Sequence, residues 1–504
     1  MSGMAIGLLI FILAFTALGV AMHFFVKGSG KNYIIAGKKL PFFLIGSMLL
    51  AQALDANATM GNATQAYLGG FWSGFQFPLG LALCLVFTGI FFAKPLNRMN
   101  LITLPDFYYR RYSTTTEVIV SFLMAFSFAI LVAGNLAGAA WILSLVFQVN
   151  YVWALIGITI FIFVYTFSGG LWACAATDVA QIYPAIIGFF GAAVWLLATY
   201  GWDFFAHSIP TGYMSLQGLT SVEHGALLNW AGILALAFGD IVALDFMERI
   251  FSAKTPKTAQ VACFYGAGLT LFVGLIASFL GFMGITFFPE ISDPNMLLPT
   301  IAMTAVPFGF GLFILGGIIA AGASTADGGI LGVSSVLGRN IIQKTIQGKK
   351  WRPGDELNTE TDSNVIDEST AVADKRLLLI SRLMTIPVVA FAVYLAYVKP
   401  EPGILLVLAF DVVFAGCLVP LVLGVYWKKA NTPGALAAII VGSILRLVLF
   451  YTIPEHLAGL DTIIPPVVSL VVMVAVSLMT QESSPPKHEV INEVPDDSKV
   501  LAGY

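Results

Sequence analysis

Two short runs of polar residues interrupt otherwise apolar stretches of this chain. One is Gln52-Ala-Leu-Asp55-Ala-Asn57-Ala-Thr59; the other is Ala320-Ala-Gly-Ala-Ser324-Thr325-Ala-Asp327. Hydroxyl, amide and carboxylate oxygens are expensive in hydrocarbon, so inside a membrane they face a cavity, an ion or a substrate. Neutral oxygens in adjacent positions suit a small hard cation. A carboxylate beside them adds charge. Two such clusters in corresponding parts of two halves are the pattern of ion and substrate sites in a carrier.

The elements that hold these clusters follow from composition. The chain has 504 residues, of which 58% are hydrophobic and 11% charged. A soluble domain carries about 25% charged residues, so the class is an all-α, polytopic membrane protein. On a ruler of about 20 apolar residues per crossing, thirteen spans are expected: 4–26, 41–69, 74–94, 117–147, 150–168, 175–200, 225–252, 259–288, 300–340, 377–398, 402–426, 434–452 and 462–480. The first has no basic residues before it and Lys27, Lys31, Lys38 and Lys39 after it. That is the reverse of a cleaved signal peptide, and predicts a retained helix.

Charge between spans sets the orientation. Segments carrying Arg98/Arg110/Arg111, Arg249/Lys254/Lys257, Arg339/Lys344/Lys349/Lys350/Arg352 and Lys428/Lys429 alternate with segments carrying Asp203/Glu223, Glu290/Asp293 and Glu455/Asp461. The basic bias places the N-terminus outside and the C-terminus in the cytoplasm of a plasma (inner) membrane protein. Residues 345–376 and 481–504 read as a cytoplasmic loop and tail. The net charge of −3 gives no reason to expect nucleic acid, and no obligate protein partner is evident. The four cysteines (Cys84, Cys174, Cys263, Cys417) fall in or beside apolar segments with no metal spacing, and read as packing residues. The glycines from Gly309 to Gly317 precede no Gly-Lys-(Ser/Thr) and suit close helix packing, not phosphate binding. No enzymatic activity is expected.

Residues 1–480 form one transporter domain. Within it, residues 41–200 and 225–426 are two sets of five spans, preceded by the extra helix 4–26 and followed by two peripheral helices in 434–480. An odd number per set gives the sets opposite orientation. The first helix of each carries a polar interruption, Asp55-Ala56-Asn57 in one and Phe238-Gly239-Asp240 in the other. This is the layout of an inverted repeat with broken first helices. Opened helices free carbonyls that can coordinate Na⁺, and half-helix N-termini favour anionic groups.

Several motifs then resemble one family. Asn32-Tyr-Ile-Ile-Ala-Gly-Lys-Lys39-Leu-Pro, Thr103-Leu-Pro-Asp106-Phe, Ser168-Gly169-Gly170-Leu171 with Thr177-Asp178-Val-Ala-Gln181, Glu248-Arg249 with Ala253-Lys254, and Pro420-Leu-Val-Leu-Gly424-Val-Tyr426-Trp427 with Gly434-Ala435-Leu436-Ala437 occur in the order seen in the sodium:solute symporter family of proline, pantothenate, sialic acid and sodium/glucose carriers. The resemblance implies a LeuT-type core and inward co-transport of Na⁺ with a small organic solute.

It also implies sites. Ser324 and Thr325 match the hydroxyl pair of the family's main sodium site, and Ala53, Ala56 and Ala321 its carbonyl donors. Asp55, between two of those donors, would ligate the ion or tune it from one shell away; a helix-break cap is compatible with both. Asp178 matches an acid linked in some members to a second sodium site, whose further hydroxyl positions are Asp327 and Gly328 here. A salt bridge or helix cap competes with that reading. Substrate positions correspond to Asn57, Gln76, Asn135, Phe238 and Asp240, with Trp141 and Asp411 as weaker candidates; helix–helix hydrogen bonding competes for each. Arg446 and Arg382 are expected to snorkel or pair. If Asp240 and Asp411 both face the pocket unpaired, the solute is expected to carry positive charge. The expected function is sodium-coupled symport by alternating access. Its rivals are a proton-coupled carrier of the same fold and a transporter-like membrane sensor.

Overall fold

The structure, a computed structural model, describes residues 2–347 and 368–487. Most of the loop 345–376 and of the tail 481–504 therefore lies outside the described residues. Helices dominate because hydrocarbon offers backbone groups no partner outside their own segment. Among the described residues nine helices are long and apolar enough to cross a bilayer, or up to twelve spans if each of three bent pairs counts as one.

In chain order the principal helices are α1 (Gly3–Ala21), α2 (Phe42–Ala53), α3 (Ala56–Gly69), α4 (Phe71–Phe87), α5 (Pro105–Arg111), α6 (Thr114–Phe147) and α7 (Tyr151–Tyr200). After them come α8 (Ala226–Leu234), α9 (Leu244–Phe251), α10 (Pro256–Phe287), α11 (Leu297–Thr304) and α12 (Phe308–Val336). The last are α13 (Glu368–Val398), α14 (Pro402–Gly416), α15 (Leu418–Tyr426), α16 (Thr432–Thr452) and α17 (Leu460–Met479).

The fifty residues of α7 would make a straight helix of about 75 Å, more than twice a hydrocarbon core of about 30 Å. It is broken at Gly170, with φ 53° and ψ −144°, between the spans expected at 150–168 and 175–200. A Cβ there would lie 2.4 Å from the Tyr33 carbonyl oxygen, so the break needs glycine in both conformation and space.

Three spans are bent. α2 and α3 meet at 46°, and α14 and α15 at 47°. The stretch Ala226–Val242 meets α9 at 50°. The first break is made by Asp55, whose extended backbone caps α3. The second lies later than the sequence suggests. Phe238 and Gly239 fall in a π-helical turn, Asp240 starts a 3₁₀ turn, and the extended residue is Ala243 (ψ 132°). The third, at Cys417, is absent from the sequence reading. Its cause is Pro420, which has no N–H for the Gly416 carbonyl.

The span expected at 300–340 is also corrected. Leu297–Thr304 is a separate short helix, and the membrane helix starts at Phe308 after Pro307. Its C-terminal end continues as a π-helical turn, Leu337–Gln343. Arg111, Arg249 and Arg339, counted above as loop charges, are fully buried. Arg339 Nε donates to Asp106 at 3.1 Å, and Arg111 donates to the Gly424 and Trp427 carbonyls.

The two sets are linked where their first helices meet the same face. The Leu40 N–H donates to Ser252 at 3.1 Å, and the Lys254 N–H donates to Leu40 at 3.1 Å. Leu40 precedes α2, whereas Ser252 and Lys254 follow α9. One broken helix thus begins where the other ends, as an inversion requires.

Candidate functional site

The site is assembled from the α2–α3 break, the middle of α12 and the break after Ala226–Val242. Asp55 accepts the Ala58 N–H at 2.6 Å with one oxygen and the Asn135 amide at 2.6 Å with the other. The Ala58 N–H is thereby taken from the regular ladder, and the chain opens between Ala53 and Ala56. α12 comes against this opening because Gly322 has no side chain: a Cβ there would lie 2.7 Å from that of Ala56. One turn around α12 are Ala321, Ser324 and Thr325.

Ser324 and Thr325 are fully buried, and neither hydroxyl bonds any protein atom. Helical serine and threonine in hydrocarbon usually bond back to the i−4 carbonyl. Thr159, Thr166 and Thr177 do so in this protein, at 2.7, 2.7 and 2.9 Å. An unbonded buried hydroxyl costs about 1–3 kcal/mol. Two together, beside an opened helix, form an oxygen-rich face suited to a cation.

Thr325 lines a small cavity with Gln52, Asp55, Asp240, Leu81, Leu131, Leu406 and Phe410. Its volume is about 10 Å³, room for roughly one water-sized particle. Gln52, quoted above as part of the polar run but not as a site residue, links the two broken helices. Its amide donates to Asp245 at 3.0 Å and to Asp240 at 3.5 Å. Asp240 is 3% exposed and, among the described residues, makes no ion pair.

The other expected residues fall in different surroundings. Asn57 donates to the Leu131 carbonyl at 3.3 Å, and Asn135 bonds both Asp55 and that carbonyl, so both tie α2–α3 to α6. Gln76 donates to the Ser73 carbonyl at 2.7 Å and packs on Gly232. Phe238 stacks between Phe87 (5.1 Å) and Phe414 (6.1 Å). It lines a separate apolar cavity of about 380 Å³ with Phe91, Phe92, Ile241, Val422 and Tyr426. Trp141 donates to the Pro400 carbonyl at 3.0 Å. Arg382 donates to the Ser168 carbonyl at 2.9 Å.

Asp411 corrects the expectation of a second unpaired acid. It is ion-paired with Arg446, which also reaches Asp461 at 3.0 Å, and it accepts the Thr462 hydroxyl at 3.2 Å. Asp178 and Asp327 are fully buried, and their carboxylates accept no hydrogen bond. Asp178 lies 3.8 Å from Arg249, which donates to Asp245 at 3.1 Å. This arginine was hidden by its place next to Lys254 and Lys257. The signal was available in the acidic residues that flank it, Asp245 and Glu248.

Broken helices from inverted halves around buried oxygens define a membrane transporter. The sodium:solute symporter family matches residues 33–352 and 363–442, and the chain belongs to this family. Human high affinity choline transporter 1 is 24% identical over 475 residues, covering 88% of this chain and 76% of the relative. The sodium/proline symporter of Staphylococcus aureus (strain USA300 / TCH1516) is 24% identical over 515 residues, covering 97% and 94%. A substrate-bound, outward-open Na⁺-coupled sialic acid symporter superposes with a TM-score of 0.72 at 16% identity, covering 95% of this chain and 98% of that one. The fold is all-helical and of the LeuT type.

Proposed function

We propose that this chain couples inward movement of Na⁺ to that of a small organic solute carrying a positively charged nitrogen, by alternating access. The observation that carries the reading is the cavity where Thr325, Asp55, Gln52 and Asp240 converge from three elements, beside two hydroxyls with no protein partner. Na⁺ is held by Ser324 and Thr325 with the carbonyls of Ala53, Ala56 and Ala321. Asp55 keeps the break open and lends charge. Asp178 and Asp327 form the edge of this site as a second cation locus. Asp240 faces the solute, because a buried carboxylate needs a counter-charge.

Choline transporters among the relatives support a cationic nitrogen, and a proline symporter supports a zwitterion as the near alternative. Asn57 and Asn135 shape the solute side through α6. Gln76 and Phe238 act at its outer and inner approaches. Thirteen spans, with the N-terminus outside and the C-terminus cytoplasmic, follow if α7 crosses twice. Rocking of the broken helices against α6 and α12 exposes the cavity to each side in turn, with reciprocal coupling of ion and solute.

The test is uptake into proteoliposomes of labelled choline, proline, sialic acid and a dicarboxylate, under an inward sodium, potassium or proton gradient imposed separately. Sodium-driven uptake of choline or proline supports the reading. Uptake driven only by a proton gradient, or of the dicarboxylate alone, contradicts it.

A further inference from the structure

Arg249 sits where three helices meet. Its guanidinium is fully buried and donates to Asp245 on its own helix α9 at 3.1 Å. It reaches toward Asp178 of α7 at 3.8 Å. It lies flat on α12 at Gly328, where a Cβ would stand 3.1 Å from both terminal nitrogens. A methyl group at 328 would force the guanidinium to shift by a few tenths of an ångström.

The two acids it approaches are held differently. Asp245 is within hydrogen-bonding distance and also takes the Phe246 N–H at 2.8 Å. Neither Asp178 oxygen accepts a hydrogen bond. Ser324 lies one turn before Gly328 on the same face of α12, so the guanidinium that approaches Asp178 also packs on the helix face that carries the ion-site hydroxyl. Asp327 and Glu248 are also buried without hydrogen bonds, next in sequence to Gly328 and to Arg249 respectively. Two cations that share one carboxylate in a water-poor interior weaken each other.

We infer that Arg249 is a tethered cation that competes with the transported sodium ion for Asp178, a positioning residue that sets how tightly the ion is held and links ion occupancy to the inner half of the broken helix. The inference rests on the sodium-coupled reading. With the site filled, Asp178 turns toward the ion and its hold on Arg249 loosens. With the ion gone, Arg249 recovers Asp178 and clamps α9 against α7 and α12. Gly328 provides the seat on which the guanidinium moves.

The experiment is the sodium dependence of thermal stability of the purified full-length protein, titrated at constant ionic strength with potassium as the replacement. Binding raises apparent stability by mass action, so the midpoint of the sodium titration reports affinity. Wild type is expected to be stabilised by sodium and not by potassium. Arg249→Gln is expected to lower the half-saturating sodium roughly tenfold, and Asp178→Asn to raise it roughly tenfold. Gly328→Ala, which displaces the guanidinium without removing charge, is expected to lower it by a smaller factor, and decides the matter if Arg249→Gln fails to fold.

A merely structural arginine would lower the melting temperature and leave the sodium midpoint within about twofold of wild type. That result in Gly328→Ala and in any foldable Arg249→Gln overturns the inference while leaving sodium coupling intact. A wild type indifferent to sodium overturns the sodium-coupled reading and this inference with it.

Discussion

Gly322 packs so closely on Ala56 that a Cβ added to the glycine would come within 2.7 Å of the alanine's. This contact brings the helix with the free hydroxyls against the helix that Asp55 opens. It sets the hydroxyl-bearing stretch of α12 beside a cavity that Thr325 shares with Asp55 and Asp240.

Asp240 and Asp411 are both buried acids in bent spans, yet they are predicted to respond differently. Asp240→Asn should raise the half-saturating solute concentration at least about tenfold, the loss of a charge-assisted contact, with the protein's melting temperature nearly unchanged. Asp411→Asn breaks a buried pair with Arg446 and should destabilise the protein by about 3 kcal/mol. Uptake kinetics and thermal unfolding of the two variants separate these outcomes. Equal melting temperatures with equal kinetic defects would contradict the assignment.

Much of this was legible in the sequence. Long apolar runs separate cleanly from polar turns, so membrane helices such as Thr114–Phe147 are found almost to the residue. Asp55 shows as a break because a carboxylate in an apolar run must have a backbone or ionic partner. The break at Ala243 was misplaced because alanine gives no signal, while the Phe-Gly-Asp before it does. The pairing of Asp411 with Arg446 was illegible because the two residues meet only in three dimensions, through packing of α14 on α16. Arg249 was misread for a related reason: hydropathy treats a charge near a span end as a loop charge, whatever buries it.

Topology yields a prediction free of any assumption about solute. Ser292, Glu223 and Lys429 are exposed, the first two on segments that the charge bias predicts to be outside and the third on one it predicts to be inside. In intact cells an impermeant thiol reagent should label Ser292→Cys and Glu223→Cys and spare Lys429→Cys, which should react only after permeabilisation. Labelling of Lys429→Cys from outside would mean that the thirteen-span count is wrong by one crossing.

Gly170 carries the break that divides α7. Gly170→Ala combines a strained positive φ with a contact of 2.4 Å to the Tyr33 carbonyl oxygen, and should lose at least about 2 kcal/mol of stability. Gly157, on the same helix with open space around it, is the control. Gly157→Ala should express and melt like wild type. Indistinguishable behaviour of the two variants would contradict the break.

The central claim, that Ser324 and Thr325 hold the coupled ion, is tested most directly by equilibrium binding of radioactive sodium to the purified protein. Wild type is predicted to bind it saturably, with displacement by unlabelled sodium and not by potassium. The double variant Ser324→Ala with Thr325→Ala should fold, since neither hydroxyl bonds the protein, and should lose at least about tenfold in sodium affinity. Undiminished sodium binding by a folded double variant would contradict the account.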